Sequence, residues 1–250
     1  MKFKPFILGT LLFFFHCNLI NVSAEEPINK PVAIFYSPHQ DDELLTMGHA
    51  ITLYVHNGYE VHVVLLTDGS ATNAIHSVNK EVVKHYLSPM STKEFSDARN
   101  LEFIRSLSAL GVERKNMHFS RLKDGKTTVN QVEETVLKYK TRFPEAIHMA
   151  LSYHDDHNDH RNSGLALNNL FKNGLLKEPK FYIQNNERNI VKGVYETYSS
   201  ILDQPIVNAT IPYKEWNPLR RMYSIGIISV PYDFNLLERD PRSKYHLIDQ

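Results

Sequence analysis

Val32-Ala33-Ile34-Phe35-Tyr36 runs directly into Ser37-Pro38-His39-Gln40-Asp41-Asp42-Glu43. The first five residues form an uninterrupted apolar run, the pattern of a strand buried on both faces, and such strands build parallel sheets sheathed by helices. The next seven therefore leave the carboxyl end of a sheet strand, where open α/β sheets bind their ligands. His39, Asp41, Asp42 and Glu43 put four ionisable side chains into five residues there. Read in isolation, the acidic run is better taken as a first helical turn that complements the helix dipole.

Downstream the chain keeps alternating strand with helix. From Glu43 to Asn57, Leu44, Met47, Ile51 and Tyr54 or Val55 recur at helical spacing, and Asn57-Gly58 suits a left-handed cap. Val61 to Leu66 is a second apolar strand, ending in Thr67-Asp68-Gly69-Ser70. Ala71 to Met90 has no clear period and reads as an irregular rim or lid. Ser91-Thr92-Lys93-Glu94 is a capping box that opens a helix reaching about Leu110, stopped by Gly111. A short strand over Met117 to Phe119, a helix over Val129 to Phe143 and a strand over Ala146 to Ser152 follow. Helical pattern resumes beyond Gly164 through Leu176, Lys180 to Ile183 reads as a strand, Asn189 to Leu202 as a helix and Tyr223 to Val230 as a strand. The alternation predicts an α/β fold with a mostly parallel sheet covered on both faces. Residues 25–250 read as one domain, with the proline- and aromatic-rich stretch 204–250 as a C-terminal extension or flap.

The strand over Ala146 to Ser152 leads into His157-Asn158-Asp159-His160. Two polar clusters, distant in sequence, thus both follow strands and can meet at one edge of the sheet. His39 and Asp42 lie three apart on a turn entering a helix, and His160 completes a set of two imidazoles and one carboxylate. That donor set, with one position open to water, is how hydrolytic zinc is held, and zinc brings the pKa of its water towards neutrality. Asp41, beside a ligand but unable to share its direction, is free to take a proton from that water. His157 is placed to face a substrate carbonyl and stabilise the negative charge that grows on it. Asp159 would orient one of the histidines, and Asp155 and Asp156 bear on His157. The same ligands accept iron, cobalt or manganese. In a chain with 13 histidines a single one reads as a surface or packed residue, so the pairing of the two clusters is what points to a metal.

Lys2 and Lys4, the apolar Phe6 to Phe15, and Val22-Ser23-Ala24 make the pattern of a signal peptide cut after Ala24. The apolar core falls short of the roughly 20 residues of a membrane span, so a secreted or cell-envelope protein is expected, with an uncleaved anchor as the alternative. Cys17 is the only cysteine, and its removal with the signal would leave stability to a hydrophobic core. Lys plus Arg and Asp plus Glu balance at 28 each without a basic stripe, so no nucleic-acid partner is expected.

Together these residues carry a family resemblance. Pro38-His39-x-Asp41-Asp42-Glu43, with His157-x-Asp159-His160-Arg161 and Gly164, resembles the LmbE-like, or PIG-L, family of zinc-dependent de-N-acetylases. Thr67-Asp68-Gly69, Arg99-x-x-Glu102, Leu110-Gly111-Val112 and Lys192 add weaker matches. The resemblance implies a Rossmann-like three-layer α/β sandwich. It implies His39, Asp42 and His160 as zinc ligands, Asp41 as general base and His157 as the oxyanion-stabilising histidine, with Asp159, Asp68, Arg99 and Lys192 in supporting or substrate-binding places. It implies removal of the acetyl group from an N-acetylglucosamine-type amide, with an amino-sugar glycan or glycoconjugate as partner. The chain departs from the family at Gln40 and Asn158, where proline is usual, at Ser70, where glutamate is frequent, and at His49, where a second glycine is common. Two other readings use the same residues: a metallohydrolase of this fold acting on an amide outside sugars, and a non-catalytic glycan-binding module.

Overall fold

The computed structural model describes residues 30–248, so the expected signal segment lies outside the described residues. The first half comprises β1 (Val32–Ser37), α1 (Asp42–Leu45), α2 (Gly48–His56), β2 (Glu60–Thr67), α3 (Ala74–Lys84), α4 (Thr92–Ala109), β3 (Met117–Leu122) and α5 (Val129–Arg142). Then come β4 (Ile147–Leu151), α6 (Asn158–Lys172), β5 (Lys180–Ile183), β6 (Val194–Tyr195), α7 (Asp203–Lys214), β7 (Trp216–Asn217), β8 (Met222–Tyr223), α8 (Ile225–Ser229), α9 (Pro231–Arg239) and β9 (Lys244–His246). The main sheet has seven strands in the order β3-β2-β1-β4-β5-β9-β6. The first five are parallel, and β9 and β6 close the edge antiparallel. β1 is flanked by β2 on one side and β4 on the other, so the winding reverses there. A crevice opens at that switch point, outside the carboxyl ends of β1 and β4.

Alternation along β1 sends its side chains into two cores. Ala33 and Phe35 meet Ile51 of α2, Phe103 and Leu107 of α4, Ile206 and Tyr213 of α7, and Phe234 of α9. Ile34 and Tyr36 meet Val132 and Val136 of α5 and Leu167 and Leu170 of α6. Helices on both faces of a mostly parallel sheet make the three-layer sandwich that the alternating pattern predicted. Ser91 and Thr128 each close a capping box, with Glu94 and Gln131, at the starts of α4 and α5. Such caps are worth about 1 kcal/mol each.

Four local expectations are corrected. The helix read over Glu43 to Asn57 is two helices, because Ser243 intrudes at the joint: its hydroxyl donates to Thr46 O and accepts Ala50 N–H. Ala71 to Met90 is not irregular throughout, since α3 packs Val78 and Val82 against Phe95 and Ile225 in a third apolar cluster. Asn189 to Leu202 is not a helix; Gly193 lies so close to Tyr245 O that a Cβ would stand 2.4 Å from it, and β6 pairs with β9. Tyr223 to Val230 is not a strand, because the Glu102 carboxylate accepts the N–H groups of Ile225 and Gly226 and holds the first turn of α8. In each case a tertiary partner outweighs the local pattern.

Helix α6 begins at Asn158, nearly two turns earlier than the apolar period suggests, and lays Gly164 on the end of β4. A Cβ at Gly164 would stand 2.5 Å from Leu151 O and 2.6 Å from Tyr153 N, both backbone atoms that cannot yield cheaply. Gly164→Ala should therefore destabilise the fold by about 1–3 kcal/mol, lowering the melting temperature by roughly 2–12 °C. An unchanged melting temperature would show that α6 is free to shift off the strand.

Candidate metal centre and active site

Both polar clusters leave adjacent strands at the switch point. The His39 loop follows β1, and residues 152–157 carry the chain from β4 into α6. Three donor atoms converge between them. His39 Nδ1 lies 3.0 Å from His160 Nε2 and 3.2 Å from an Asp42 Oδ2 that is itself 3.2 Å from His160 Nε2. A tetrahedral ion with bonds of about 2.0–2.1 Å holds its donors roughly 3.3 Å apart. The triangle fits that requirement to within a few tenths of an ångström, and all three side chains are buried.

The far side of each imidazole suits the same arrangement. His39 Nε2 faces Asp159 Oδ2 at 3.1 Å and Asp124 Oδ1 at 3.2 Å, and His160 Nδ1 faces Asp155 Oδ2 at 3.0 Å. These carboxylates hold the outer nitrogens as donors, so that a cation displacing the inner protons would meet lone pairs at His39 Nδ1 and His160 Nε2. Asp159 is itself fixed by Gly125 N–H, Thr127 N–H and the Thr127 hydroxyl. Two other groupings, His39 with His157 and His160 and His39 with Asp124 and Asp159, also gather ligand-type atoms. In the second, the carboxylates serve His39 Nε2 and already accept backbone N–H groups, including Ala71 N–H at Asp124. Asp42 Oδ2 likewise accepts His39 N–H, so what distinguishes the inner triangle is its pairing of two imidazole nitrogens with one carboxylate.

The electrostatics of the ion-free cluster follow from burial and close charge. Burial lowers the pKa of His160, but Asp42 and Asp155 outweigh it and lift the ring to about 9; His39 is likewise raised by Asp124, Asp159 and Asp42. Burial pushes Asp42 up, yet His160 and His39 hold it well below the usual carboxylate range. Cation binding must therefore displace protons from the imidazoles, and affinity should fall as pH falls.

Asp41 shares the cavity with Asp42 although consecutive side chains usually diverge. Its backbone makes this possible: φ is 114°, outside the regions L-residues prefer, a strain of about 1–3 kcal/mol that clusters at functional sites. Asp41 O accepts the N–H groups of Leu44 and Leu45, and Asp41 N–H donates to Glu43 Oε2. Glu43, fully buried, takes the Tyr213 hydroxyl at 2.7 Å, so α7 braces the turn from behind. Arg99 on α4 stands 3.4 Å from Asp41 Oδ2 and donates to Gln40 O and Gly69 O. Burial raises the Asp41 carboxyl to about 7, with Arg99 opposing and Asp42 adding to the rise. The departure at Gln40 is accommodated at Gly69, against whose Cα the Gln40 amide packs while donating to Asn100.

His157 caps α6 with its ring exposed beside the triangle, its centroid 4.8 Å from that of His39 and 4.5 Å from that of His160. Partial desolvation of this otherwise exposed ring, then the charges of His160 and His39, hold its pKa below the ordinary histidine value, so it meets a ligand as a neutral donor. Asp155 serves His160 and accepts His157 N–H, and Asp156 is exposed. Arg161 pins this loop through Asp155 O, Asp156 O and the Asn158 side chain.

A cavity of about 490 Å³ is lined by His39, Asp41, Asp42, Arg99, His157 and His160. Asp68 and Lys192 are not among its lining residues. Asp68 accepts Ser70 N–H and Asp124 N–H and so shapes the turn that carries Asp124, while Lys192 is exposed before β6. Asp124, Gln184 and Asp233 line the cavity and were missed. Asp124 was within reach of sequence reasoning: its Asp-Gly turn follows the carboxyl end of β3, the rule that identified the other clusters.

The family model for PIG-L, described as GlcNAc-PI de-N-acetylase, matches residues 34–171, more than half of the chain and both polar clusters. The chain belongs to the PIG-L family. No curated protein sequence matches it significantly. Solved structures that resemble this PIG-L chain include teicoplanin deacetylase in a zinc-inhibited form, at 14% identity and TM-score 0.61, covering 88% of this chain and 99% of that one. N,N'-diacetylchitobiose deacetylase from Pyrococcus horikoshii, in complex with an inhibitor, is 14% identical at TM-score 0.57, with 88% and 84% covered. GalB, a 4-carboxy-2-hydroxymuconate hydratase from Pseudomonas putida, is 15% identical at TM-score 0.59, with 88% and 97% covered. At such identities the likeness speaks for the PIG-L fold.

Proposed function

We propose that the protein is a zinc-dependent de-N-acetylase that hydrolyses the acetamide of an N-acetylglucosamine-type sugar. The observation that carries this reading is the inner triangle of His39 Nδ1, Asp42 Oδ2 and His160 Nε2 with Asp41 in the same cavity. The cavity volume lies within the range of small-molecule sites. Deacetylases among the PIG-L relatives support the reaction class.

A divalent ion held by His39, Asp42 and His160 would polarise the acetamide carbonyl and make a water acidic enough to react near neutrality. Asp41 accepts a proton from water as the water attacks the acetyl carbon, then returns it to the departing nitrogen. A carboxylate that shares the cavity with the triangle without belonging to it suits a group that must both take and give a proton. Arg99 keeps Asp41 in place. His157, neutral and beside the triangle, donates to the carbonyl oxygen as its negative charge grows. The products are acetate and an amino sugar.

A second reading, chemistry on a substrate outside sugars, is favoured by one finding: a hydratase shares the fold. Incubation with N-acetylglucosamine, N,N'-diacetylchitobiose and non-sugar acetamides separates the two. Equal amounts of acetate and primary amine from the sugars are expected; release from the non-sugar amides alone would reassign the substrate. Export rests on the pattern from Lys2 to Ala24, and a mature N-terminus at Glu25 would be its sign.

A further inference from the structure

We infer that Asp233 sets the charge preference of this site, favouring oligosaccharides that carry a free amine beside the N-acetylated ring and rejecting those that carry phosphate, sulfate or carboxylate there. The inference rests on the sugar de-N-acetylase reading above and adds a residue that neither the sequence motifs nor the mechanism uses.

Apart from histidines, the charged residues lining the cavity are Asp41, Asp42, Asp124, Asp233 and Arg99. Four carboxylates thus face one guanidinium and, in the loaded enzyme, the divalent ion that the triangle would hold, so the carboxylates still outnumber the positive charges by one, and no lysine lines the cavity. Three of the carboxylates are engaged. Asp42 belongs to the metal triangle, Asp41 is held by Arg99, and Asp124 is shared between His39 Nε2 and Ala71 N–H. Among the described residues no cation pairs with the Asp233 side chain, and its backbone N–H donates to Val230 O. The one guanidinium is also committed, to Gly69 O, Gln40 O and Asp41. An anionic group entering the cavity would meet an unpaired carboxylate and find no free lysine or arginine, whereas an ammonium would find Asp233 unpaired.

The local sequence builds this placement. Pro231 takes the first position of α9, where its fixed φ and missing N–H suit a helix start. Ser229 and Val230 line the cavity beside Asp233, and α9 packs against α1 and the turn at residues 185–187, elements that also border the site. Burial and then the charge of Asp42 push the Asp233 carboxyl above its ordinary pKa, with the charge of His160 opposing the rise. The remaining lining groups, including Thr46, Asn73, Asn185 and Ser229, are neutral and suit sugar hydroxyls. One turnover on an oligosaccharide leaves an ammonium next to the remaining acetamides, the feature Asp233 attracts. A partly de-N-acetylated chain is then a better ligand than the fully acetylated one.

The test is calorimetric binding of mono-N-acetylated chitobiose, N,N'-diacetylchitobiose and N-acetylglucosamine 6-phosphate to the wild type, Asp233→Asn and Asp233→Lys, with acetate release followed in parallel. At low salt the wild type should bind the cationic sugar about tenfold more tightly than the neutral one and the phosphorylated sugar least. Asp233→Asn should erase the preference for the amine, and Asp233→Lys should turn it towards the phosphate. A preference unchanged in both variants, or equal binding of the phosphorylated and neutral sugars by the wild type, overturns the assignment of Asp233. Charge-dependent binding without acetate release from any sugar overturns the de-N-acetylase reading and leaves the assignment of Asp233 standing.

Discussion

Asp41→Asn should lower acetate release by about 10²–10⁴-fold while leaving the bound metal in place. The substitution is nearly isosteric, and asparagine tolerates positive φ better than most residues, so the turn at φ 114° can persist. What disappears is a group able to accept a proton from water. The side chain lies outside the triangle of donors, which is made by His39, Asp42 and His160, so metal content per chain should match the wild type. Asp41→Ala should lose as much turnover and, without a carboxylate beside Arg99, leave that buried guanidinium unpaired at a cost in stability. Near-normal turnover in Asp41→Asn, with metal bound, would remove Asp41 from the role of base.

His160→Ala should abolish measurable turnover by removing one donor of the triangle. Metal affinity should fall by more than the roughly 10–100-fold that loss of a supporting hydrogen bond costs. Asp155→Asn, which keeps His160 but weakens the hold on its Nδ1, should fall within that smaller range. The pair distinguishes donor from support, because Asp155 touches the outer nitrogen and Asp42 the inner one. Full metal occupancy and turnover in His160→Ala would shift the cation to another grouping, of which His39 with Asp124 and Asp159 is the alternative already assembled.

Much of this site was legible because its residues follow one rule, that polar groups at the carboxyl ends of parallel strands face the crevice. His39, Asp41, Asp42, His157 and His160 all obey it, and the structure brings them into one cavity. Which carboxylate serves which imidazole was not legible, because Asp155, Asp156 and Asp159 sit within one loop and helical turn, and only the path of α6 assigns Asp159 to His39 and Asp155 to His160. The C-terminal contribution was hidden for a different reason. The apolar residues of Ile225-Gly226-Ile227-Ile228 suit a strand or a buried helix, and the choice is made by Glu102, more than a hundred residues away in the chain. With α8 misread, the expected C-terminal flap brought no named residue to the site, and Asp233 of α9 went unrecognised. The supporting motif residues divide similarly: Arg99 reaches Asp41, Asp68 shapes the turn bearing Asp124, and Lys192 stays exposed.

The most direct measurement is acetate release from N,N'-diacetylchitobiose by purified protein stripped of metal with a chelator, then titrated with zinc while bound metal is counted. Turnover absent in the stripped protein and restored in proportion to zinc, saturating at about one equivalent per chain, is the expected result. Undiminished acetate release from the metal-free protein, or one bound zinc per chain with no acetate from any N-acetylated sugar, would contradict a zinc-dependent de-N-acetylase.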